Sequence, residues 1–379
     1  MKLRPSQTQE SCNQPPIVWD GLGLSNRYSG IGYYGYQLYQ GLAECGAQPY
    51  TTTLEKSEPW FVPTEKRLPL MTGTLLTGSV RARILPKTIG LKPIFPNISY
   101  GRSQQLAPGI IYHGLSNINL PTVGIKRPKD RFIVTIHDLI PLILDKGSLL
   151  ALQMQFLLPR VLARANAIIA PSVWTKNHLA EKFGSEIFEK TVVIPNGTRN
   201  PRTFEKRISK NLSAKTMDVL IVARGEVYKR LVLVKEVACA LKDHSFALVT
   251  DEIGKRQMGD APPNLRVYTK VNDNELEALF QCSKVLLHPS LYEGWCLPAA
   301  DALVRGLHVV YCSGSGIDDV CRYSQSQTTA LSREQPLANW IDATKVAIDS
   351  YDNRLGELMS LPTWLETAEK TLKIYRSLV

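Results

Sequence analysis

The chain has 379 residues, of which 44% are hydrophobic and 21% are charged. This length suits two domains, and the composition argues against disorder as the default state. No run approaches the roughly 20 apolar residues of a membrane span, and the polar N-terminus lacks the apolar core of a signal peptide. The seven cysteines form no Cys-x-x-Cys pair, which argues against a disulfide or zinc framework and predicts a cytoplasmic protein.

The net charge of +11 is concentrated in the first half of the chain. Residues 1–190 carry 21 basic and 12 acidic side chains, and residues 66–129 carry ten basic side chains and no acidic one. A field of positive sign attracts anionic partners. Apolar residues also interleave with the basic ones here, as at a membrane interface. We therefore predict that 66–129 contacts an anionic membrane surface, with the protein peripheral at the inner face. A solvated basic loop is the alternative, and nucleic acid is not expected as a partner.

Strand and helix signals alternate along the first half of the chain. Short apolar runs predict strands at 17–22, 109–114, 131–141, 167–172 and 191–197. Apolar residues spaced by three to four positions predict helices at 30–45, at 149–165 with a kink at Pro159, and through 176–184.

A second alternating series follows a segment, 199–216, that has few apolar residues and reads as a linker. Strands are predicted at 217–224, 246–252, 265–271, 284–290 and 308–314, with helices at 229–242, from Asp273 and from Pro298. Continuous apolar strands that alternate with helices indicate parallel sheets covered on both faces. The sequence therefore predicts two doubly wound α/β domains with a cleft between them.

The stretch GIGYYG (30–35) fits the glycine fingerprint of dinucleotide-binding folds. That fingerprint needs its first glycine directly at the strand end, whereas a loop of about ten residues intervenes here. We therefore reject NAD as a cofactor. Gly30 and Gly32, at a helix start, could still let backbone N–H groups approach an anion; a plain glycine-rich turn is the alternative.

His137 follows an apolar strand, at the position where ligands of doubly wound folds bind. It could donate a hydrogen bond to a hydroxyl or stabilise developing charge. The alternative is a histidine held within its loop by Asp138. The other histidines show no metal-ligand spacing and are assigned no role.

Two cations, Arg224 and Lys229, flank the predicted end of one strand and the start of the next helix. Such a pair can neutralise a diphosphate while backbone amides donate to it, and it acts most strongly where a departing phosphate gains charge. A pair of surface cations is the alternative. The chain contains neither His-Glu-x-x-His nor a strict Asp-x-Asp, so no metal-ligand pattern is found.

Residues 285–301, VLLHPSLYEGWCLPAAD, end an apolar strand with Glu293 and place Asp301 eight positions later. Pro298 suits the first position of a helix. Asp301 would then lie in the first turn, where a carboxylate favours the helix dipole by roughly 0.3–1 kcal/mol. Glu293 precedes Gly294 where a buried strand meets solvent and ligand, so a structural role explains it less well. Spacing alone does not choose between the two roles for Asp301.

The segment HPSLYEGWCLPAADALVRGLHVV (288–310) resembles the signature of the family 4 retaining glycosyltransferases, which have the GT-B fold of two Rossmann-like domains facing a cleft. RFIVTIHDLIPL and VARGEVYKRL are similar to further motifs of that family. The resemblance implies a GT-B α/β fold with an acceptor-binding domain over 1–205 and a nucleotide-sugar-binding domain over 206–360. PTWLETAEKTLKIYRSL resembles the family's terminal helix, which implies that 361–379 packs back on the first domain.

The resemblance also assigns roles in a donor site. Arg224 and Lys229 would hold the diphosphate of a sugar nucleotide, and Glu293 would contact the donor sugar. His137 would lie near the reacting centre, and Asp301 would bind the ribose hydroxyls. Gly30 and Gly32 would form the N-terminal loop that closes over the phosphates. The remaining donor-binding residues would be Gly294, Trp295, Cys296 and Leu297.

The implied reaction is metal-independent transfer of a sugar with retained anomeric configuration and without a cofactor. HDLIPL followed by Tyr-Glu-Gly resembles the mannosyltransferase branch, so GDP-mannose is the favoured donor and a UDP-sugar the alternative. The acceptor would be a lipid-linked saccharide or a surface polysaccharide. The chain departs from the family pattern at four positions. Trp295 replaces a phenylalanine, Cys296 a glycine and Asp301 a glutamate, and Asp319 lies where the pattern commonly has Pro-Glu-Val. These departures keep open a non-catalytic partner subunit, and a sugar-nucleotide epimerase is the other alternative.

Overall fold

The computed structural model describes residues 15–24, 26, 29–54, 59–70, 95–144, 147–199, 215–351 and 361–379. These residues form two α/β units, each built on one parallel sheet. The predicted boundary near 205 falls outside the described residues. Within the described part, no helix is both long and apolar enough to cross a membrane.

The first unit has a seven-stranded sheet with the order β3-β2-β1-β4-β5-β6-β7. Its strands are β1 (Ile17–Trp19), β2 (Tyr50–Leu54), β3 (Arg67–Leu70), β4 (Ile111–Gly114), β5 (Arg131–Thr135), β6 (Ala167–Ala170) and β7 (Thr191–Val193). Its helices are α1 (Gly30–Glu44), α2 (Phe95–Ser103), α3 (Ile140–Leu144), α4 (Leu149–Arg164), α5 (Val173–Phe183) and α6 (Ser185–Lys190), with a 3-10 turn at Thr64–Lys66. Helix α4 continues through Pro159.

The second unit has a six-stranded sheet with the order β10-β9-β8-β11-β12-β13. Its strands are β8 (Met217–Val222), β9 (Phe246–Thr250), β10 (Leu265–Thr269), β11 (Ser283–His288), β12 (His308–Cys312) and β13 (Thr328–Leu331). Its helices are α7 (Leu231–Ala240), α8 (Glu252–Met258), α9 (Asp273–Cys282), α10 (Leu297–Leu303), α11 (Ile317–Cys321) and α12 (Leu337–Asp349), with 3-10 turns at Val227–Lys229 and Arg322–Gln327.

Each sheet is buried on both faces, because neighbouring residues of one strand enter different cores. In β8, Val219 and Ile221 belong to one apolar cluster, whereas Leu220 belongs to the other. In β1, Val18 and Trp19 are divided in the same way. This burial explains the continuous apolar runs of the sequence, since both sides of a covered parallel strand are apolar.

Helix α13 (Trp364–Ser377) completes the first unit although it follows the second in the chain. It begins with a capping box in which Thr363 and Glu366 satisfy each other's backbone N–H groups. Its apolar face, including Trp364, Leu372 and Tyr375, joins the core that α1 and β1 also line. The predicted fold class, two doubly wound domains with a returning terminal helix, is confirmed.

One detail of the prediction for Asp301 is wrong. Helix α10 begins at Leu297, so Asp301 is its fifth residue and lies beyond the first turn. The helix-dipole explanation of this carboxylate therefore does not hold.

Candidate functional site

The middle of the second sheet creates the candidate site. Strands β8 and β11 are neighbours, and the strand order reverses between them. In open parallel sheets, ligands bind outside the carboxyl ends of the strands at such a switch point. The segment after β8 carries Lys229, and the segment after β11 carries Glu293.

A buried cluster of Lys229, Glu293 and His288 occupies this switch point. The Nζ atom of Lys229 donates to Oε1 of Glu293 at 2.6 Å, and Nε2 of His288 lies 2.6 Å from the same oxygen. Because a carboxylate only accepts, Nε2 of the histidine must be the donor. Among the described residues, none donates to Oε2 of Glu293, so this oxygen can accept a hydrogen bond from a ligand.

The charges in this cluster stabilise one another. Burial alone would raise the pKa of Glu293, but Lys229 and His288 hold that pKa well below its ordinary value. Burial alone would lower the pKa of Lys229, but Glu293 keeps it well above its ordinary value. The pair is therefore charged at neutral pH.

The loop that carries Glu293 is fixed by the loop after β12. The backbone N–H of Glu293 donates to Oγ of Ser315 at 3.2 Å, and its carbonyl accepts from Gly316 N at 2.8 Å. A Cβ at Gly316 would collide with the carbonyl of Gly294. Two loops that interlock this closely hold the Glu293 carboxylate in one place.

Cys296 ends this loop in an unusual conformation. Its φ of 84° and ψ of 77° lie on the left-handed side, and its side chain is buried. Left-handed backbone costs a residue with a Cβ roughly 1–2 kcal/mol. A cysteine in place of the family's glycine therefore carries a conformational cost at this point.

Arg224 lies apart from the buried cluster. Its side chain is 58% exposed, and its Nε atom is 3.3 Å from Oδ2 of Asp251 and 3.4 Å from Oε1 of Glu226. Arg224 and Lys229, which were both predicted to bind phosphate, thus have different carboxylate partners. Lys229 itself lies in the 3-10 turn that precedes α7, close to the predicted helix start.

His137 is held in the first unit by a backbone carbonyl. Its Nε2 atom donates to the carbonyl of Leu115 at 2.9 Å, and the edge of its ring packs against Tyr34 at 4.8 Å between centroids. The carboxylate of Asp138 instead accepts from Ile140 N. Burial lowers the pKa of His137, so the ring is neutral at pH 7 and its Nδ1 atom is an acceptor.

The two units meet where His137 approaches Gly294. A Cβ at Gly294 would collide with the carbonyl oxygen of His137, so this contact requires glycine. Oγ1 of Thr175 reaches both carbonyls, at 3.4 Å from His137 O and 3.3 Å from Gly294 O. The residues predicted from the two halves of the chain are therefore brought together.

Gly30 and Gly32 lie in the first turn of α1, beside the loop that precedes it. The N–H of Gly32 donates to the N-cap Ser29 Oγ at 2.9 Å, and a Cβ at this position would collide with Asn26 O. A Cβ on Gly30 would meet nothing. Gly32 thus has a structural reason to be glycine, and the predicted contact with phosphates stays a prediction for both.

Trp295 and Leu297 lie at the boundary between the units. Leu297 packs against cores of both units. Trp295 lines a cavity of about 270 Å³ together with Ser172, Val173, Val193, Pro195, Asp319, Arg322 and Tyr323. Asp319, another departure from the family pattern, accepts from the backbone N–H of Trp174 at 2.9 Å and so joins the units.

Asp301 is buried against the chain segment that leaves the first unit. Its Oδ1 atom accepts from Arg199 N at 3.0 Å, and its Oδ2 atom is 3.3 Å from Arg199 Nε. Asp301, which was predicted to bind the ribose, thus has a protein partner at each carboxylate oxygen.

A metal ion could find ligands in the same cluster. The ligand atoms of His288, Glu293 and Cys296 lie within 4.8 Å of one another, and imidazole, carboxylate and thiolate are ligands that Zn²⁺ accepts. Here the ammonium group of Lys229 already supplies a positive charge at Glu293.

Sequence reasoning missed His288, Ser315 and Arg199. His288 gave one usable signal, since it ends an apolar strand directly before the predicted site loop. Arg199 and Ser315 carry no such signal, because their partners are distant in sequence.

Comparison with protein families agrees with the resemblance found in the sequence. Residues 28–199 match the model described as Glycosyltransferase Family 4, and residues 203–330 match the model described as Glycosyl transferases group 1. The two models together cover about four fifths of the chain. Each half of the chain therefore matches a glycosyltransferase model.

One curated member of the family is similar over a limited stretch. The D-inositol 3-phosphate glycosyltransferase of a Nocardioides species is 28% identical over 138 residues. The match covers 35% of this chain and 30% of that protein.

Two solved structures share the fold over nearly the whole chain. Sucrose-phosphate synthase from Thermosynechococcus elongatus superimposes with a TM-score of 0.73 at 15% identity, over 96% of this chain and 99% of that one. Anabaena HepE in complex with UDP and glucose gives 0.66 at 12% identity, over 96% and 100% of the two chains. These likenesses confirm the predicted GT-B fold.

Proposed function

We propose that this protein transfers a sugar from a nucleotide diphosphate sugar to a saccharide acceptor. The observation that carries the proposal is the buried Lys229–Glu293–His288 cluster at the switch point of the second sheet. It offers a fixed cation and a fixed carboxylate beside each other, which suits a diphosphate attached to a sugar. The matches of the two halves of the chain to glycosyltransferase models support the same reaction class.

In this proposal, each member of the cluster has its own task. The ammonium group of Lys229 attracts the diphosphate and stabilises the negative charge that grows on the leaving phosphate. Oε2 of Glu293 accepts a hydrogen bond from a sugar hydroxyl. His288 donates to Oε1 and thereby holds the carboxylate in orientation, as a supporting residue does. Arg224 would turn from its exposed carboxylate partners to the diphosphate.

We infer a retaining reaction without a metal ion. The acceptor oxygen would form its bond to the anomeric carbon on the face from which the phosphate departs. The bond between that carbon and the phosphate oxygen would break, and the phosphate would take the acceptor's proton. In this reaction Glu293 would bind the sugar and would not act as the nucleophile. His137, neutral and accepting at Nδ1, would lie near the reacting centre.

For the donor we favour GDP-mannose, on the resemblance of the sequence to the mannosyltransferase branch. The HepE structure contains UDP and glucose, which supports UDP-glucose as the alternative. We propose a lipid-linked saccharide or a surface polysaccharide as the acceptor. The protein would then work at the inner face of an anionic membrane, a location that the basic 66–129 segment supports.

The first experiment measures binding and turnover with the full-length chain. Melting temperatures are recorded with GDP-mannose, UDP-glucose and ADP-glucose. Release of nucleoside diphosphate is then followed with polyprenyl-diphosphate-linked saccharides as acceptors. We expect one donor to raise the melting temperature and to be consumed only with an acceptor.

Variants of the cluster connect this activity to the site. Glu293→Gln should lower turnover on the order of 100-fold, since a fixed interaction with the reacting sugar is lost. Lys229→Ala should weaken donor affinity about tenfold or more, because a charge-assisted hydrogen bond contributes about 1.5–3 kcal/mol. The exposed Glu236 and Lys242 provide matched controls as Glu236→Gln and Lys242→Ala.

Four results would contradict the proposal. If no nucleotide sugar raised the melting temperature, nucleotide diphosphate sugars would not be the donors. Binding without turnover would favour a non-catalytic partner subunit, and conversion of the donor without an acceptor would favour an epimerase. Normal turnover in a folded Glu293→Gln variant would remove that residue from the site.

A further inference from the structure

Both chain connections between the two units cross at one place. Thr198, on the outgoing segment, pairs with Thr363 on the returning segment, and Thr198 N donates to Pro362 O at 2.8 Å. A Cβ on Gly197 would collide with the backbone of Trp364. The outgoing and returning segments are therefore held tightly together at this place.

Arg199 follows directly after the crossing and contacts both units. Its guanidinium group lies over the ring of Tyr33 in α1, 4.6 Å from the centroid. On the other side, its backbone N–H and its Nε reach the two oxygens of Asp301 in α10. Its Nη1 atom is 3.5 Å from Asp273, the first residue of α9.

The Asp301 carboxylate is paired with Arg199 and is nearly inaccessible, with its side chain only 5% exposed. Its Oδ1 atom accepts a hydrogen bond from Arg199 N, whereas Arg199 Nε contacts Oδ2 by charge without a hydrogen bond. A second cation, Arg305, lies 3.7 Å from Oδ1 and donates to the backbone carbonyl of Asp301 at 2.7 Å. Arg305 is itself fixed by Glu277, with Nε contacts of 2.9 and 3.1 Å. A ribose hydroxyl would have to displace an ion pair that several buried groups support.

We propose that Asp301 and Arg199 form a hinge anchor that sets the orientation of the two units, and that Asp301 does not bind the ribose. A buried ion pair holds a defined geometry, because removal of one partner leaves an uncompensated buried charge. The aspartate, one methylene shorter than the family's glutamate, suits this contact with the adjacent backbone. Asp301 and Arg199 are thus positioning residues for the cleft.

The first test asks whether Asp301 senses the ribose, and this arm rests on the proposed function. The affinities of GDP and 2′,3′-dideoxy-GDP are measured by calorimetry for the wild type and for Asp301→Asn. UDP and its dideoxy form replace them if GDP does not raise the melting temperature. If Asp301 bound the hydroxyls, their removal would no longer matter in the variant. We expect the ratio of the GDP affinity to the dideoxy-GDP affinity to differ by less than twofold between the wild type and the variant.

The second test measures the hinge without any ligand. Small-angle scattering is recorded for Arg199→Met, Asp301→Asn and the double variant. We expect a changed scattering profile in all three, with the double variant no different from the singles. The exposed pair Lys345–Asp349 gives the control variants Lys345→Gln and Asp349→Asn, whose profiles should equal that of the wild type, since a surface pair contributes little.

The two arms fail in different ways. A ribose effect that disappears in Asp301→Asn would overturn the proposal, and so would scattering profiles identical to that of the wild type. If none of GDP, UDP and ADP binds, the proposed function is wrong, and scattering still decides whether the hinge anchor exists.

Discussion

At the scale of single residues, Cys296 shows how a departure from the family pattern affects the backbone. Its φ is 84°, and the two other non-glycine residues with positive φ in the described part, Arg230 and Lys270, have 55° and 57°. The latter values are those of the ordinary left-handed region, whereas Cys296 lies beyond it. The strain is therefore local to the loop that carries Glu293.

Substitution of Cys296 by glycine and by alanine should separate strain from packing. Both changes remove the buried thiol, but only glycine removes the Cβ that opposes the left-handed backbone. We expect Cys296→Gly to be more stable than Cys296→Ala by about 1 kcal/mol. Urea unfolding measures the difference. This order is the reverse of that in an ordinary helix, so a more stable alanine variant would contradict the strained conformation.

The sequence predicts some residues of the site better than others. Lys229 and Glu293 could be predicted because both follow apolar strands, and parallel strands bring their carboxyl ends to one edge. Their direct contact at 2.6 Å depends on the strand order, which the sequence does not state. Asp301 was expected near a ligand, and its partner Arg199 became visible only when the chain crossing was known.

At the scale of elements, strand β2 was not predicted because of its polar character. Strand β2 contains Thr51, Thr52 and Thr53, all of which are buried. Thr52 Oγ1 donates to Trp19 O at 3.2 Å and also contacts Ser99. A search for apolar runs misses such a strand, because three consecutive threonines replace the apolar residues. Among the described residues, Oγ1 of Thr51 and Oγ1 of Thr53 are buried and find no hydrogen-bond partner.

Helix α4 presents an element of the opposite kind, with an apolar face that no part of the described structure covers. Leu149, Leu152 and Phe156 are exposed on one side, and Phe156 is 64% exposed. Arg160 continues the same side, and residues 146–180 contain no acidic side chain. Apolar and basic groups on one surface suit an anionic membrane, and α4 therefore extends the proposed membrane surface beyond 66–129.

The double variant Leu152→Gln and Phe156→Gln should weaken binding to anionic vesicles. Two apolar side chains would no longer enter the interface, and each contributes about 1.5–3 kcal/mol when fully buried. Partial burial still predicts a loss of about tenfold or more. Cosedimentation with phosphatidylcholine vesicles that contain phosphatidylglycerol measures it.

A matched control and a rival occupant complete this test. Val346 on α12 is also 64% exposed, so Val346→Gln should leave vesicle binding unchanged. A second copy of the chain is the rival occupant of the α4 face. If the double variant binds vesicles normally but no longer forms a dimer in light scattering, the α4 face contacts a second copy of the chain and not a membrane.

At the scale of the whole molecule, helix α13 makes the first unit depend on the end of the chain. Tyr375 lies in a buried hydrogen-bond network with β1 and β4. Nε1 of Trp19 donates to the Tyr375 hydroxyl at 3.1 Å, and that hydroxyl lies 2.7 Å from Nδ1 of His113. Every group of this network is satisfied when the tyrosine donates to Nδ1 of His113 and Nε2 of His113 donates to Thr135, which lies at 2.9 Å.

The substitution Tyr375→Phe tests whether this network holds α13 in the first unit. It keeps the aromatic ring but leaves the Trp19 N–H and the His113 Nδ1 buried without partners. An unsatisfied buried polar group costs about 1–3 kcal/mol, so the free energy of unfolding should fall by about 2–4 kcal/mol. Urea unfolding followed by circular dichroism measures the loss. Tyr323→Phe, at a half-exposed tyrosine, should change stability by less than about 0.5 kcal/mol. An equal, small effect of both substitutions would mean that apolar packing of α13 holds the helix and that the polar network contributes little.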